Sequence, residues 1–146
     1  NNKKIMKIYI FYIVLILVLN NCSNINFSNW NKKFRRERVI EYYDNGCKKH
    51  SISYFNNKFD GPMIRWDENC GMISETNYEN GKIHGYWKEY YSNGTLMHSA
   101  EYFFGQKNGY EKWYYKNGVL KSEAIFEYGE LVSDVLYWDD KGESLK

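Results

Sequence analysis

The chain has 146 residues, enough for one domain, and 19% of them are aromatic, with 15 Tyr and a single Pro. Its formal net charge is +2, but Lys3, Lys4 and Lys7 flank an apolar N-terminal run, and without them 17 basic groups face 18 acidic ones. Such a near-neutral body has no electrostatic footprint for nucleic acid, while Tyr, Trp and Phe on a Pro-poor chain suit pleated, ladder-bonded strands.

The apolar run, Ile8 to Leu19, is 12 residues long. A spanning helix needs about 20 residues, whereas the apolar part of an export signal needs about 7–15. Residues 1–22 therefore read as a signal peptide, confined to 6–22 where Met6 is the start. The run ends in Leu19-Asn20-Asn21-Cys22. This resembles a bacterial lipobox, in which the Cys carries the lipid anchor, but Asn21 stands where that pattern has a small residue. Lipidation at Cys22, plain cleavage and an uncleaved anchor remain alternatives. All three place the mature domain outside the cytoplasm, with membrane anchorage as the leading expectation. Residues 23–37 are rich in Asn, Ser and basic groups and read as a polar tether. Its Lys32, Lys33, Arg35 and Arg36 suit anionic headgroups.

From Arg38 to Glu143 one unit recurs with a period of 24. Gly46, Cys70, Gly94, Gly118 and Gly142 share a column, preceded by Asn45, Asn69, Asn93, Asn117 and Lys141. Tyr42, Trp66, Tyr90, Tyr114 and Trp138 form another, as do Tyr54, Tyr78, Tyr102 and Phe126. Gly61, Gly85, Gly109 and Ser133, and likewise Asn57, Gly81, Gly105 and Gly129, complete the pattern. Asn-Gly between strand-like stretches is a hairpin signal. In the third unit, strands are expected at Tyr86–Tyr91 and Leu96–Phe104, with a loop at Gly105–Gly109. The expected fold is all-β: an elongated antiparallel meander of stacked hairpins, four repeats and a partial fifth over 38–143, in a single-layer twisted sheet. Residues 144–146 are a C-terminal tail.

A three-residue loop at Asp44-Asn45-Gly46 would pair Tyr43 with Cys47, Tyr42 with Lys48 and Ile40 with His50. One face then collects the Tyr42 and Tyr54 columns with Ile52, Thr76, Ala100 and Ala124, and is expected to be structural. The other carries Glu41, Arg65, Glu75, Glu89, Glu101 and Glu123, and the aromatics Tyr43, Trp87, Tyr91, Phe103, Trp113 and Tyr115. Those six are the candidate binding stripe, because Tyr and Trp are favoured at hot spots. On this register, Trp87 and Trp113 would be dispensable for folding and Tyr90 and Tyr114 would not. A two-residue loop would invert part of the assignment.

The pattern Tyr-x-Asn-Gly-Lys-x-x-Gly-x-Trp-x-x-Tyr-Tyr-x-Asn-Gly runs intact from Tyr78 to Gly94. It resembles the bacterial variant of the MORN repeat, found in the YwqK family of toxin–antitoxin antitoxins. The resemblance implies an elongated sheet of hairpins and contact with protein or membrane. Asn57 and Ser133, standing where the neighbouring units have Gly, fit divergent terminal units that cap the array.

No residue set specifies a reaction. Cys47 and Cys70, read as equivalent sites two strands apart, would be about 9.5 Å from each other, beyond the disulfide range, so two free thiols are the leading expectation, with a bridge between these neighbouring turn columns as the alternative. His50, His84 and His98 lack metal-ligand spacing and read as structural or surface residues. Glu89 and Glu101, expected as cross-strand neighbours, suit a solvated face. No phosphate loop or nucleophile elbow occurs. The expected function is a non-catalytic binding module without metal or cofactor, whose partner is a protein. Neutralisation of a partner toxin, or lipid or glycan binding through the aromatic face, are the alternatives, and open sheet edges could accept a partner's strand.

Overall fold

The computed structural model describes residues 35–145. The signal segment, Cys22 and the tether up to residue 34 lie outside the described residues. Arg36 and Glu37, read above as the end of the tether, already belong to the first strand.

Eleven strands form one antiparallel sheet: β1 (Arg36–Tyr42), β2 (Lys48–Phe55), β3 (Lys58–Trp66), β4 (Met72–Glu79), β5 (Lys82–Tyr90), β6 (Leu96–Phe103), β7 (Gln106–Tyr114), β8 (Leu120–Glu127), β9 (Glu130–Leu131), β10 (Leu136–Trp138) and β11 (Ser144–Leu145). β1 to β8 pair in chain order, then β10 and β11 follow, and β9 pairs with β8 beside that path. This is the meander that the 24-residue period predicts. The expected loop at Gly105–Gly109 is shorter, because only Phe104-Gly105 turn and β7 begins at Gln106. Gly109 lies within β7 at φ +120°, where a Cβ would come within 2.8 Å of the Glu101 carboxyl carbon.

The Asn-Gly turns hold three residues, as expected. Tyr43 N–H donates to the Cys47 carbonyl, and Gly46 turns at φ +84°. One step further the ladder slips. Tyr42 opposes Lys48, but Glu41, not Ile40, opposes His50. The same bulge follows the equivalent turns, at Arg65/Trp66, Glu89/Tyr90 and Trp113/Tyr114. Each bulge adds a residue to one strand, and because side chains alternate with period two, it changes which columns share a face.

The expected faces are therefore corrected. One cross-strand row runs Ile52, Met63, Thr76, Trp87, Ala100, Glu111, Ala124. The next runs His50, Arg65, Ser74, Glu89, His98, Trp113, Ser122. Trp87 and Trp113 thus stand on the face of Ala100 and Ala124, not opposite it. Large groups from β3, β5 and β7 alternate with small ones from β4, β6 and β8, with His98 on β6 the one large exception in these two rows. Among the described residues, Ala100 and Ala124 are the buried apolar ones, with Ser74, Thr76, His98 and Ser122 buried on the same face and Ser51 buried on the other. Among the described residues the sheet is a single layer, and its core comes from large side chains leaning over small neighbours. Glu89 opposes His98 while Glu101 opposes Tyr86, so these carboxylates lie on opposite faces, not side by side.

The cysteines are also corrected. Cys47 and Cys70 form a disulfide, with Cα atoms 5.2 Å apart. They are 23 residues apart, not 24, and successive turns on this edge approach each other directly. Asn45, Asn93 and Asn117 each donate their side-chain amide to a carbonyl 23 residues on, at Glu68, Lys116 and Asp140. The same Asn oxygens accept N–H bonds from Cys47, Thr95 and Val119 within their own turns.

Candidate functional site

The six predicted binding aromatics do not form one stripe. Tyr43, Tyr91 and Tyr115 stand just before the Asn-Gly turns. Their hydroxyls donate to the carbonyls of Trp66 (3.0 Å), Tyr114 (2.7 Å) and Trp138 (2.9 Å), tying three of the four pairs of successive turns together. Trp87 and Trp113 lie in the middle of the sheet, in the rows described above. Phe103 closes β6 at the opposite edge and is 47% exposed.

Between the two Trp rings sits His98, only 4% exposed. Its ring stacks on Trp113 at 4.1 Å and meets Trp87 edge-on at 6.2 Å. Nε2 is 3.0 Å from Glu111 Oε1, and Nδ1 is 3.3 Å from Glu89 Oε2 without the alignment of a hydrogen bond. Lys107 completes the chain at 2.5 Å from Glu111. Burial disfavours the Glu111 carboxylate, but hydrogen bonds from Lys107 and His98 outweigh it and hold its pKa below the ordinary 4.5. Burial, with the Glu111 and Glu89 charges, raises the Tyr102 phenol above 10.0. Among the described residues no group of three or more His, Cys, Asp or Glu is placed to hold a metal. The network fastens β5, β6 and β7 together.

A lowered folded pKa means that Glu111 stabilises the fold above the unfolded carboxylate range, and that this contribution is lost as pH falls through its folded value. Melting followed from neutral pH to about pH 3 should therefore show a shallower acid loss in Glu111→Gln than in the parent. Equal acid losses would show that the network does not titrate with folding.

The edge opposite the Asn-Gly turns has different chemistry. Its two-residue turns are Asn56-Asn57, Asn80-Gly81, Phe104-Gly105 and Tyr128-Gly129, with both residues of each at positive φ. Asn accepts that region readily, but a bulky aromatic does not. Phe104 (φ +46°) and Tyr128 (φ +49°) nevertheless occupy it, at a cost of about 1–3 kcal/mol each. Neither ring repays this by burial, since Phe104 is 40% and Tyr128 68% exposed. With Phe103, Lys82 and Gln106 they line a groove across adjacent tips. The tips are stacked by Gly81, Gly105 and Gly129, whose N–H groups donate to the carbonyls of Phe59, Ile83 and Lys107. His84 packs beneath, 4.8 Å from Phe104 and 5.3 Å from Phe103. Reading the sequence missed Phe104 and Tyr128. The signal was present, as aromatics in a column that begins with Asn56 and Asn80.

The fold and this edge define a β-hairpin repeat protein with an exposed aromatic border. Two segments, 83–103 and 107–128, match the profile of the MORN repeat variant. They cover β5 to β8 and include both Phe103 and Tyr128. No curated protein matches the chain. Among solved structures it is similar to accessory secretory protein 1, 2 and 3 of Streptococcus pneumoniae, at 15% identity and a TM-score of 0.39. That likeness covers 63% of this chain and 17% of the other, and it says nothing of activity or partners.

Proposed function

We propose that the chain is a non-catalytic binding module that engages a protein partner through its aromatic tip edge, held at a membrane outside the cytoplasm by its N-terminal segment. The observation that carries this reading is the pair Phe104 and Tyr128. Backbone strain kept at positions whose rings stay largely exposed, Tyr128 above all, points to selection for contact. Phe103 extends the border, and Trp113, 39% exposed, offers a further ring on the sheet face. Contact with protein or membrane is also what the MORN resemblance implies. Toxin neutralisation is a special case in which the partner is one discrete, stoichiometric protein.

The test uses tagged full chain recovered from native membranes, with captured proteins identified by mass spectrometry. Phe104→Asn with Tyr128→Asn restores the residue of the first two tips. The double variant should melt higher, by about 1 kcal/mol of stability per site, yet lose the partner. Retention of the partner would reject the tip edge as the contact surface. Cys22→Ala should release the chain from the membrane fraction; continued membrane retention would remove the lipid anchor.

A further inference from the structure

We propose that β1 is the interface of a two-fold dimer, in which the sheet continues into a second copy of this chain by antiparallel β1–β1 pairing centred on Ile40. β1 ends the strand order, and all seven of its residues are exposed. Among them Val39 (48%), Ile40 (37%) and Tyr42 (54%) are large apolar groups left on an edge. Because Tyr43 N–H points to Cys47 in the neighbouring strand, alternation along the ladder turns the N–H and C=O groups of Arg38, Ile40 and Tyr42 outward. The other end of the array is closed off differently. β9, β10 and β11 are two, three and two residues long, and Ser133 Oγ accepts the Ile125 N–H where the ladder breaks. β1 is thus the long, regular edge.

Its charges choose both partner and register. In a two-fold antiparallel pair, opposed residues share a face, so the residue that meets itself fixes the register. Centres at Glu37, Arg38 or Glu41 set like charges against each other, and a centre at Val39 opposes Glu37 with Glu41. A centre at Tyr42 runs into the turn at Asp44 and leaves most of the strand unpaired. Centred on Ile40, the ladder contains no like-charge pair. Val39 opposes Glu41, Glu37 opposes Tyr43, and the Arg38 guanidinium lies beside the Tyr42 ring, an attractive pairing. Arg36 remains bound to Asp60 at 2.8 Å. Charged edge strands normally prevent self-association; this one permits a single register of it.

The experiment uses full chain carrying Cys22→Ala in mild detergent. Ile40→Cys should form a covalent dimer on oxidation, because a residue opposite itself in a hydrogen-bonded pair has Cα atoms about 5.5 Å apart, within the disulfide range. Arg38→Cys, which meets Tyr42, should link at least roughly tenfold more slowly. In sedimentation equilibrium, Ile40→Lys should weaken self-association by at least about tenfold, while Leu136→Lys, at the far end, leaves it unchanged. The proposal is overturned if the chain stays monomeric to about 100 µM, if Arg38→Cys links as fast as Ile40→Cys, or if Leu136→Lys abolishes association. It does not depend on the tip-edge reading, since Phe104→Asn with Tyr128→Asn should leave the dimer intact.

Discussion

Trp87→Ala is expected to cost the fold about 3 kcal/mol, the largest effect of any single truncation in the sheet. Trp87 bridges Thr76 and Ala100 in the central row and leans against His98 and Tyr102, at 6.2 and 6.0 Å. Its removal uncovers the small residues on both sides and loosens one wall of the His98 network. The melt, followed by far-UV circular dichroism, should drop by roughly 10 °C or more. Phe104→Asn in the same assay should rise. A Trp87→Ala variant melting like the parent would mean that the ring contributes contact area and not core.

Cys47→Ser is expected to destabilise the chain by about 3 kcal/mol, from release of a loop 23 residues in span. The loss should be local. Each hairpin of a repeat array leans on its neighbours, and the disulfide fastens β1–β2 to β3–β4. Hydrogen exchange should quicken across Arg36–Phe55 and stay unchanged across Gln106–Glu127. Cys70 itself sits at φ +64°, in the column where the other turns have Gly at +82° to +90°. Cys47→Ser with Cys70→Gly should therefore lose less than Cys47→Ser with Cys70→Ser. Uniform exchange along the array after loss of the bridge would contradict nearest-neighbour stability.

The repeat was legible because turns and strands are local: Asn-Gly, period 24 and the aromatic columns need no knowledge of what lies across the sheet. What could not be read was the slip at Glu41/Tyr42 and its equivalents at Glu89/Tyr90 and Trp113/Tyr114. A β-bulge adds one residue to a strand without a residue type that announces it, and one residue of slip is enough to exchange faces. That step moved Trp87 and Trp113 onto the face of Ala100 and Ala124. The disulfide was missed for a related reason. Counting strands gives the spacing of a flat sheet, while the turns of this one approach each other across it. The strain at Phe104 and Tyr128 needed the backbone dihedrals, because only there does an ordinary aromatic become a costly one.

The turn-to-turn ties are unevenly distributed, and this has a mechanical meaning. The first and second Asn-Gly turns share the disulfide and the Tyr43 and Asn45 bonds. The third and fourth are tied by Tyr91 and Asn93, the fourth and fifth by Tyr115 and Asn117. Between the second and third, Tyr is replaced by Asp67, whose carboxylate folds back to accept the N–H groups of Asn69 and Gly71 in its own turn. Among the described residues no side-chain tie joins those two turns, and the side-chain contacts across β4 and β5, from Asn77 to the His84 carbonyl and between Glu79 and His84, lie toward the other edge. On the opposite edge β4 and β5 are joined directly by their own turn, Asn80-Gly81. The β4–β5 backbone ladder runs from Ser74–Glu89 to Glu79–Lys82, but beyond the ladder that seam is tied along one margin only. Under load it would flex there like a book on its spine, swinging the disulfide-locked first half against a second half that carries Phe104 and Tyr128.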